Sequence, residues 1–433
     1  MKVLLVSTNT ETINMPVLPL GLFAIARATR EAGHEIMVIN TMDADQMQAD
    51  VIQAIGDFQP ELIGISVRNI DDQSLAATRF LLDPVRSLIT ACRRQTTVPI
   101  VIGGAGYSIF PEASLAWLGA DMGLRGPAEQ SFLRLLACLQ QGRDPASLPG
   151  LYLPGSQAGR ARVSTGNIPD NIPDNINEAP LPRPEDLLVK PAPTEKDDLW
   201  IPFQTRRGCA MDCSYCSTPA IEGRITRQRQ PAKVADMLAA YTRAGYSRFF
   251  FVDNTFNLPP AYARDLCDQI IAKKLNLAWR GIAYPWKLDD ELAAKMAAAG
   301  CVEVSLGFES GSAGILQSLN KKFTPADVRQ VSAALKRAGI RQTGFLLLGA
   351  PGETPATVEE SLVFAESLDL DAMKITCGIR LYPETPLARQ AAAEGVIAAD
   401  DDLLFPKFYV AEAVRDILHE LVEPWMARYD NWF

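Results

Sequence analysis

Cys209, Cys213 and Cys216 stand in the stretch Arg207-Gly208-Cys209-Ala210-Met211-Asp212-Cys213-Ser214-Tyr215-Cys216, with the spacing C-x3-C-x2-C. Three soft sulfur donors on one short loop can hold a metal centre. A structural zinc site takes four tetrahedral ligands, usually in paired C-x2-C units or with histidines. No second cysteine pair accompanies this one, and the chain's two histidines, His34 and His419, are remote in sequence. A disulfide would use two of the thiols and leave the third over. An iron–sulfur cluster is held by cysteine thiolates, and three of them on a [4Fe–4S] cluster leave one iron open. The vacant position is then a place for a substrate or cofactor.

Two βα arrays must position this loop. In residues 1–150, short apolar runs at 2–7, 35–40, 62–67, 99–103 and 121–125 read as strands. Between them, 20–32, 45–58, 75–94, 111–118 and 128–141 read as helices. This predicts an α/β domain with a doubly wound parallel sheet, whose ligand edge lies at the carboxyl ends of the strands. Residues 151–199 are rich in Pro, Asn and Asp and repeat NIPD, which predicts a linker. In residues 200–400, strands are expected at 200–205, 248–252, 279–283, 302–307, 342–348 and 373–381. Helices are expected at 231–244, 260–274, 289–299, 324–338, 357–368 and 385–394. Six βα units suit an open, partial (β/α)6 barrel whose post-strand loops face one mouth. Residues 401–433 add a short helical tail at 410–426 and the aromatic end Tyr429, Trp432 and Phe433.

The totals narrow the function classes. A chain of 433 residues predicts two or three domains, and 48% apolar with 21% charged residues is a soluble globular composition. A net charge of −9 argues against a general nucleic-acid binder. The opening MKVLLVSTNTET is no secretory signal, and no apolar stretch approaches the about 20 residues that span a bilayer. Three of eight cysteines are clustered and five scattered (Cys92, Cys138, Cys267, Cys301, Cys377), which fits a reducing cytoplasm better than a disulfide framework.

The cysteine spacing, with aromatic Tyr215 before the last thiol, resembles the radical SAM superfamily. The resemblance implies that the open iron binds the amino and carboxylate groups of S-adenosylmethionine (SAM). An electron from an external donor, flavodoxin or ferredoxin, then cleaves the sulfonium to a 5′-deoxyadenosyl radical. Later strand ends carry further likenesses. Asp253 and Asn254 occupy the place where relatives hold the methionine amine. Gly307-Phe308-Glu309-Ser310-Gly311 resembles the family's GxESG, which puts Glu309, with Ser310, near the ribose and methionine. Gly349-Ala350-Pro351-Gly352-Glu353 resembles the GxPGE element, which sets Gly349 and Gly352 against adenine. Taken singly, Glu309 reads equally as a helix N-terminal charge and the glycines as turns. After the sixth strand, relatives more often have Gly where this chain has Glu384.

The N-terminal half lacks the G-x-G-x-x-G of a dinucleotide site between its first strand and helix. It resembles instead the cobalamin-binding domain found ahead of many radical SAM enzymes. The matching residues are Pro19-Leu20-Gly21 with Glu31-Ala32-Gly33-His34-Glu35, Gly103-Gly104-Ala105-Gly106, Pro111-Glu112, and Arg125-Gly126-Pro127-Ala128-Glu129. The segment Ser66-Val67-Arg68-Asn69-Ile70-Asp71-Asp72 follows the third strand. Its Arg68 and Asn69 are candidates for the corrin amides or the substrate, while Asp71 and Asp72 equally suit the start of a helix. The D-x-H-x-x-G motif of many cobalamin proteins is absent, which implies cobalamin bound without histidine on cobalt.

The resemblance implies methylation of an unactivated carbon of a small molecule or lipid, with SAM used twice: once as radical source and once to remethylate cobalamin. A rearrangement, cyclisation or redox step with the same cofactors is the alternative. A tRNA methylthiotransferase would carry three further cysteines in the N-terminal half, where only Cys92 and Cys138 stand, and a basic tail. An iron–sulfur electron carrier would need neither the GFESG nor the GAPGE loop.

Overall fold

The computed structural model describes residues 1–11, 18–41, 44–155, 162–163, 176–187 and 199–433. The NIPD repeats lie outside the described residues. The N-terminal sheet is built from β1 (Lys2–Ser7), β2 (Glu35–Asn40), β3 (Leu62–Ser66), β4 (Ile100–Gly103), β5 (Met122–Leu124), β6 (Leu151–Leu153) and β7 (Arg162–Val163). Its order is β2-β1-β3-β4-β5-β6-β7, parallel through β5 and antiparallel beyond it. The run Val3–Val6 is buried throughout because helices cover both faces of the sheet. Each βα turn therefore opens at the same carboxyl edge.

A second sheet follows. β8 (Ile201–Phe203) starts it, β9 (Arg206–Arg207) and β10 (Arg227–Gln228) pair separately, and β11 (Arg248–Phe251), β12 (Ala278–Ala283), β13 (Cys301–Glu309), β14 (Arg341–Leu348) and β15 (Ala372–Cys377) complete it. The order β15-β14-β13-β12-β11-β8 is parallel throughout and matches the expected six-unit partial barrel. Along β13, Val304, Leu306 and Phe308 are buried, while Glu303, Ser305, Gly307 and Glu309 alternate with them on the more open face. β16 (Ile379–Arg380) and β17 (Phe408–Tyr409) form an antiparallel pair after the barrel.

Three expectations are corrected. The third helix runs Leu82–Gln95 rather than from residue 75. Asp71 and Asp72 organise the preceding turn, where their carboxylates accept from Gln73 N at 3.0 Å and Ser74 N at 3.2 Å. Local side-chain bonds to the backbone there compete with helix. The stretch expected to be a linker begins with β6, which pairs with β5. The tail helix runs Leu418–Arg428 with Pro424 inside it, behind a 3-10 turn at Glu412–Val414. Beyond that helix the chain docks on β15, where Ile375 N donates to Phe433 O at 2.8 Å and Phe433 N to Met373 O at 2.9 Å. The sheet edge is thereby covered.

The two halves share a continuous apolar core. The Phe405 ring lies 4.9 Å from Phe80 and 5.0 Å from Trp117, and Tyr382 lies 6.1 Å from Phe110. The buried Arg380 guanidinium donates to Asp71 Oδ2 at 2.9 Å across the same boundary. Among the described residues no helix is long and apolar enough to cross a membrane.

Candidate active site

Cys209, Cys213 and Cys216 lie on the loop between β9 and the helix Thr218–Glu222. The loop is pinned by backbone bonds from Cys209 N to Gly223 O (3.2 Å), Ser214 N to Leu319 O (3.0 Å) and Leu387 N to Ser214 O (2.9 Å). Gly208 enters it at φ +87°, and a Cβ there would stand 2.2 Å from Ile225 O. Burial pushes the Cys209 thiol up to about 11 and also raises Cys213. At neutral pH such thiols keep their protons until a bound metal compensates the charge. The three sulfurs influence one another electrostatically, although among the described residues no set of three or more Cys, His, Asp or Glu stands in metal-coordinating geometry. A single χ1 rotation moves a cysteine sulfur between staggered positions without moving the backbone. Three free thiols on a pinned loop suit a cluster bound through three irons.

Beside the loop, Tyr215 Oη donates to Glu309 Oε1 at 2.9 Å. Lys321 Nζ reaches both, at 2.9 Å and 3.0 Å. The Lys321 side chain is 4% exposed. Burial opposes its charge, but Glu309 and Tyr215 more than compensate and hold its pKa well above the ordinary range. Glu309 ends β13 at φ 63°, beyond a register shift against β14, so it is a strand-end residue rather than a helix N-terminal charge. An extra residue of that kind re-aims a side chain. Sequence reasoning missed Lys321, whose lysine in a polar turn resembles any exposed one.

Asn254 Nδ2 donates to Glu222 Oε2 at 2.8 Å, next to the cluster loop. Asp253 is placed differently: it is fully buried, and its Oδ1 accepts from Thr205 N at 2.8 Å and Arg206 N at 3.0 Å. Ser310 is also fully buried, its hydroxyl 2.8 Å from that of Ser361. Gly349 and Gly352 turn at φ +101° and +81°. The turn is fastened by Glu353, which accepts from Gly349 N and, at 2.8 Å, from Ala350 N.

Burial lifts the Glu353 carboxyl from 4.5 to about 7. The native state then keeps a proton that the unfolded chain releases, so this group lowers stability as pH rises from 4.5 to about 7 and adds no further change above that. The span corresponds to about 3 kcal/mol. Glu353→Gln is expected to flatten that slope, as read from urea midpoints between pH 5 and pH 8.

Across from the cluster loop is a cavity of about 310 Å³. Pro19, Leu20, Gly21, Ser66, Arg68, Gly103, Gly104, Gly126 and Glu129 line it from the N-terminal half; Gln204, Arg207 and Glu222 line it from the barrel half. It continues inward between Leu5, Gly64, Val101 and Phe132. At Gly104, φ is +103° and a Cβ would meet Val67 O at 2.4 Å, so only glycine permits this strand-to-helix turn. Arg68 makes no side-chain hydrogen bond or ion pair among the described residues, and dehydration lowers its pKa. Three expected residues stand behind the wall. Asn69 donates to Asn9 Oδ1 at 3.1 Å, Gly106 packs under Arg68 O, and Arg125 donates to Ser108 O at 3.2 Å and to Glu384 Oε2 at 3.3 Å. Glu384 itself adopts φ 63°, a conformation glycine takes more readily. His34 sits 3.2 Å from the N-terminal amine at the opposite sheet edge and His419 is exposed, so neither reaches the cavity. Gln204, Arg207 and Glu222 were not expected from sequence as part of this wall.

Two known families match the segments on either side of this site. The Radical SAM superfamily matches residues 204–365 and the B12 binding domain matches residues 6–136. An uncharacterized methyltransferase of Pyrococcus horikoshii is 29% identical over 97% of this chain and 91% of its own length. The tryptophan 2-C-methyltransferase of Streptomyces laurentii is 25% identical over 89% of this chain and 74% of its own. The structure of the radical S-adenosylmethionine methyltransferase TsrM from Kitasatospora setae has the same fold, with a TM-score of 0.86 over 99% of this chain and 89% of that one, at 24% identity. The protein is a radical SAM enzyme with a B12-binding domain. The chain thus unites a Radical SAM superfamily domain with a B12 binding domain, the pairing of a cobalamin-binding radical SAM enzyme.

Proposed function

We propose that this enzyme transfers a methyl group to an unactivated carbon of a small molecule. One observation carries the reading: a single cavity is walled on one side by the glycine turns of the N-terminal sheet and on the other by Arg207 and Glu222, neighbours of the cysteine loop. When bound, the cluster, SAM and cobalamin supply one-electron sulfonium cleavage and a transferable methyl group. In this reading Cys209, Cys213 and Cys216 hold the cluster. Pro19, Leu20, Gly21, Ser66, Gly103, Gly104 and Gly126 form the corrin bed. The Arg68 guanidinium donates to the corrin amides or the substrate. Tyr215, Asn254 and Glu309 orient SAM, with Lys321 fixing the Glu309 carboxylate. Gly349 and Gly352 keep side chains clear of adenine. Burial around the loop excludes water and oxygen, leaving positioning as the protein's main task. The electron comes from an external donor, and tryptophan, the substrate named for one relative, is the first candidate to try.

The test is anaerobic protein loaded with hydroxocobalamin and given reductant, SAM and candidate small molecules. Methylation is expected to yield both S-adenosylhomocysteine and 5′-deoxyadenosine. Formation of 5′-deoxyadenosine alone overturns methyl transfer in favour of a rearrangement, cyclisation or redox step.

A further inference from the structure

Glu129 and Arg207 meet across the boundary between the two halves. Glu129 is the first residue of the helix Glu129–Gln140, directly after the turn that follows β5. Arg207 ends β9, two residues before Cys209. Arg207 donates through Nη2 to Glu129 Oε1 at 2.7 Å and through Nη1 to Oε2 at 3.3 Å. Each side chain is 8% exposed, and both line the cavity. Burial alone would raise the Glu129 carboxyl, but the adjacent guanidinium reverses that, so both groups are charged.

The contacts continue to the cluster loop. Arg207 Nε donates to Gln204 Oε1 at 3.1 Å, and Gln204 Nε2 donates to Glu222 Oε1 at 2.8 Å. Glu222 Oε2 accepts from Gly208 N at 3.2 Å, the residue before Cys209. The next residue, Cys209, is tied by its own N–H to Gly223 O at 3.2 Å, so both Gly208 and Cys209 hang on the Glu222–Gly223 segment. A displacement of Arg207 or Glu222 is therefore passed to Cys209 rather than absorbed.

We propose that the Glu129–Arg207 pair couples the two cofactor sites, so that each cofactor binds more tightly when the other is present. The inference rests on the reading that the cavity takes cobalamin. An open cavity lets water compete for the pair. A corrinoid seals it, and the dehydrated pair holds the loop in one position more firmly. Linkage makes the effect reciprocal, at about tenfold for an ordinary coupling between sites.

The measurement is the affinity for hydroxocobalamin, read from its absorbance change, of cluster-loaded and cluster-free full-length protein. About tenfold tighter binding by the loaded form is expected. The double variant Glu129→Gln/Arg207→Met, which leaves neither charge buried alone, is expected to bind equally in both forms. Asp71→Asn alters a different interdomain ion pair, with Arg380, and is expected to keep the tenfold difference. Equal affinities in the two wild-type forms, or undiminished coupling in the double variant, overturn the proposal. No hydroxocobalamin binding by either form overturns the cobalamin reading itself. The wild-type comparison needs no substitution and stands even if a variant fails to fold.

Discussion

Alanine at Cys209, Cys213 or Cys216, one at a time, is expected to reduce bound iron to background and to abolish reductive cleavage of SAM. The reason is the donor count. Among the described residues neither histidine approaches this loop, so no nitrogen ligand replaces a lost thiolate. The loop is pinned at Cys209 N, Ser214 N and Ser214 O, so it does not shift to recruit another group. Cys377 on β15 is the comparison. Its thiol is also pushed up, to about 11, by burial, but it sits beside Glu353 rather than on the loop. Cys377→Ala is expected to retain iron. The checks are an iron count on anaerobically reconstituted protein and chromatography of 5′-deoxyadenosine. Iron retained in any of the three loop variants would remove the assignment.

Asp253→Ala is expected to destabilise the protein by about 3–5 kcal/mol, the cost of leaving one member of a buried ion pair uncompensated. Arg206 is 1% exposed and Asp253 fully buried, with Arg206 Nε 3.5 Å from Asp253 Oδ2. The same carboxylate accepts from two backbone N–H groups that no water reaches, at Thr205 and Arg206. Burial raises the Asp253 carboxyl, and Arg206 works against that. Asp253→Asn keeps an acceptor and is expected to cost less. Urea unfolding separates the two variants. If Asp253 served SAM alone, Asp253→Ala would raise KM for SAM and leave the unfolding midpoint unchanged.

The βα order was legible because the apolar pattern of a covered parallel strand is a local property. Runs such as Lys2–Ser7 and Arg341–Leu348 carry the pattern in consecutive residues. The thiol loop was legible for the same reason: all three donors lie within eight positions of one another. What escaped was anything settled by burial or by contacts distant in sequence. Lys321 reads as a surface lysine until the fold closes over it, and Asp253 reads as a polar mouth residue until Arg206 packs against it. Arg207 and Glu129 are 78 residues apart, and their pairing has no sequence signal. The early end of the expected linker shows the converse error, since proline content after residue 154 concealed how soon β6 joins the sheet.

The aromatic seam between the halves limits how such enzymes can be recombined. Phe80 and Trp117 belong to the corrin-side half, while Phe405, which meets both, comes from beyond the barrel. A chimera that swaps the first 150 residues for those of a distant homologue would keep its cofactor motifs yet face Phe405 with foreign side chains. A transplant that respects the architecture must carry residues near 80, 117 and 405 together, even though the last of these lies more than 250 positions beyond any splice point in the N-terminal half.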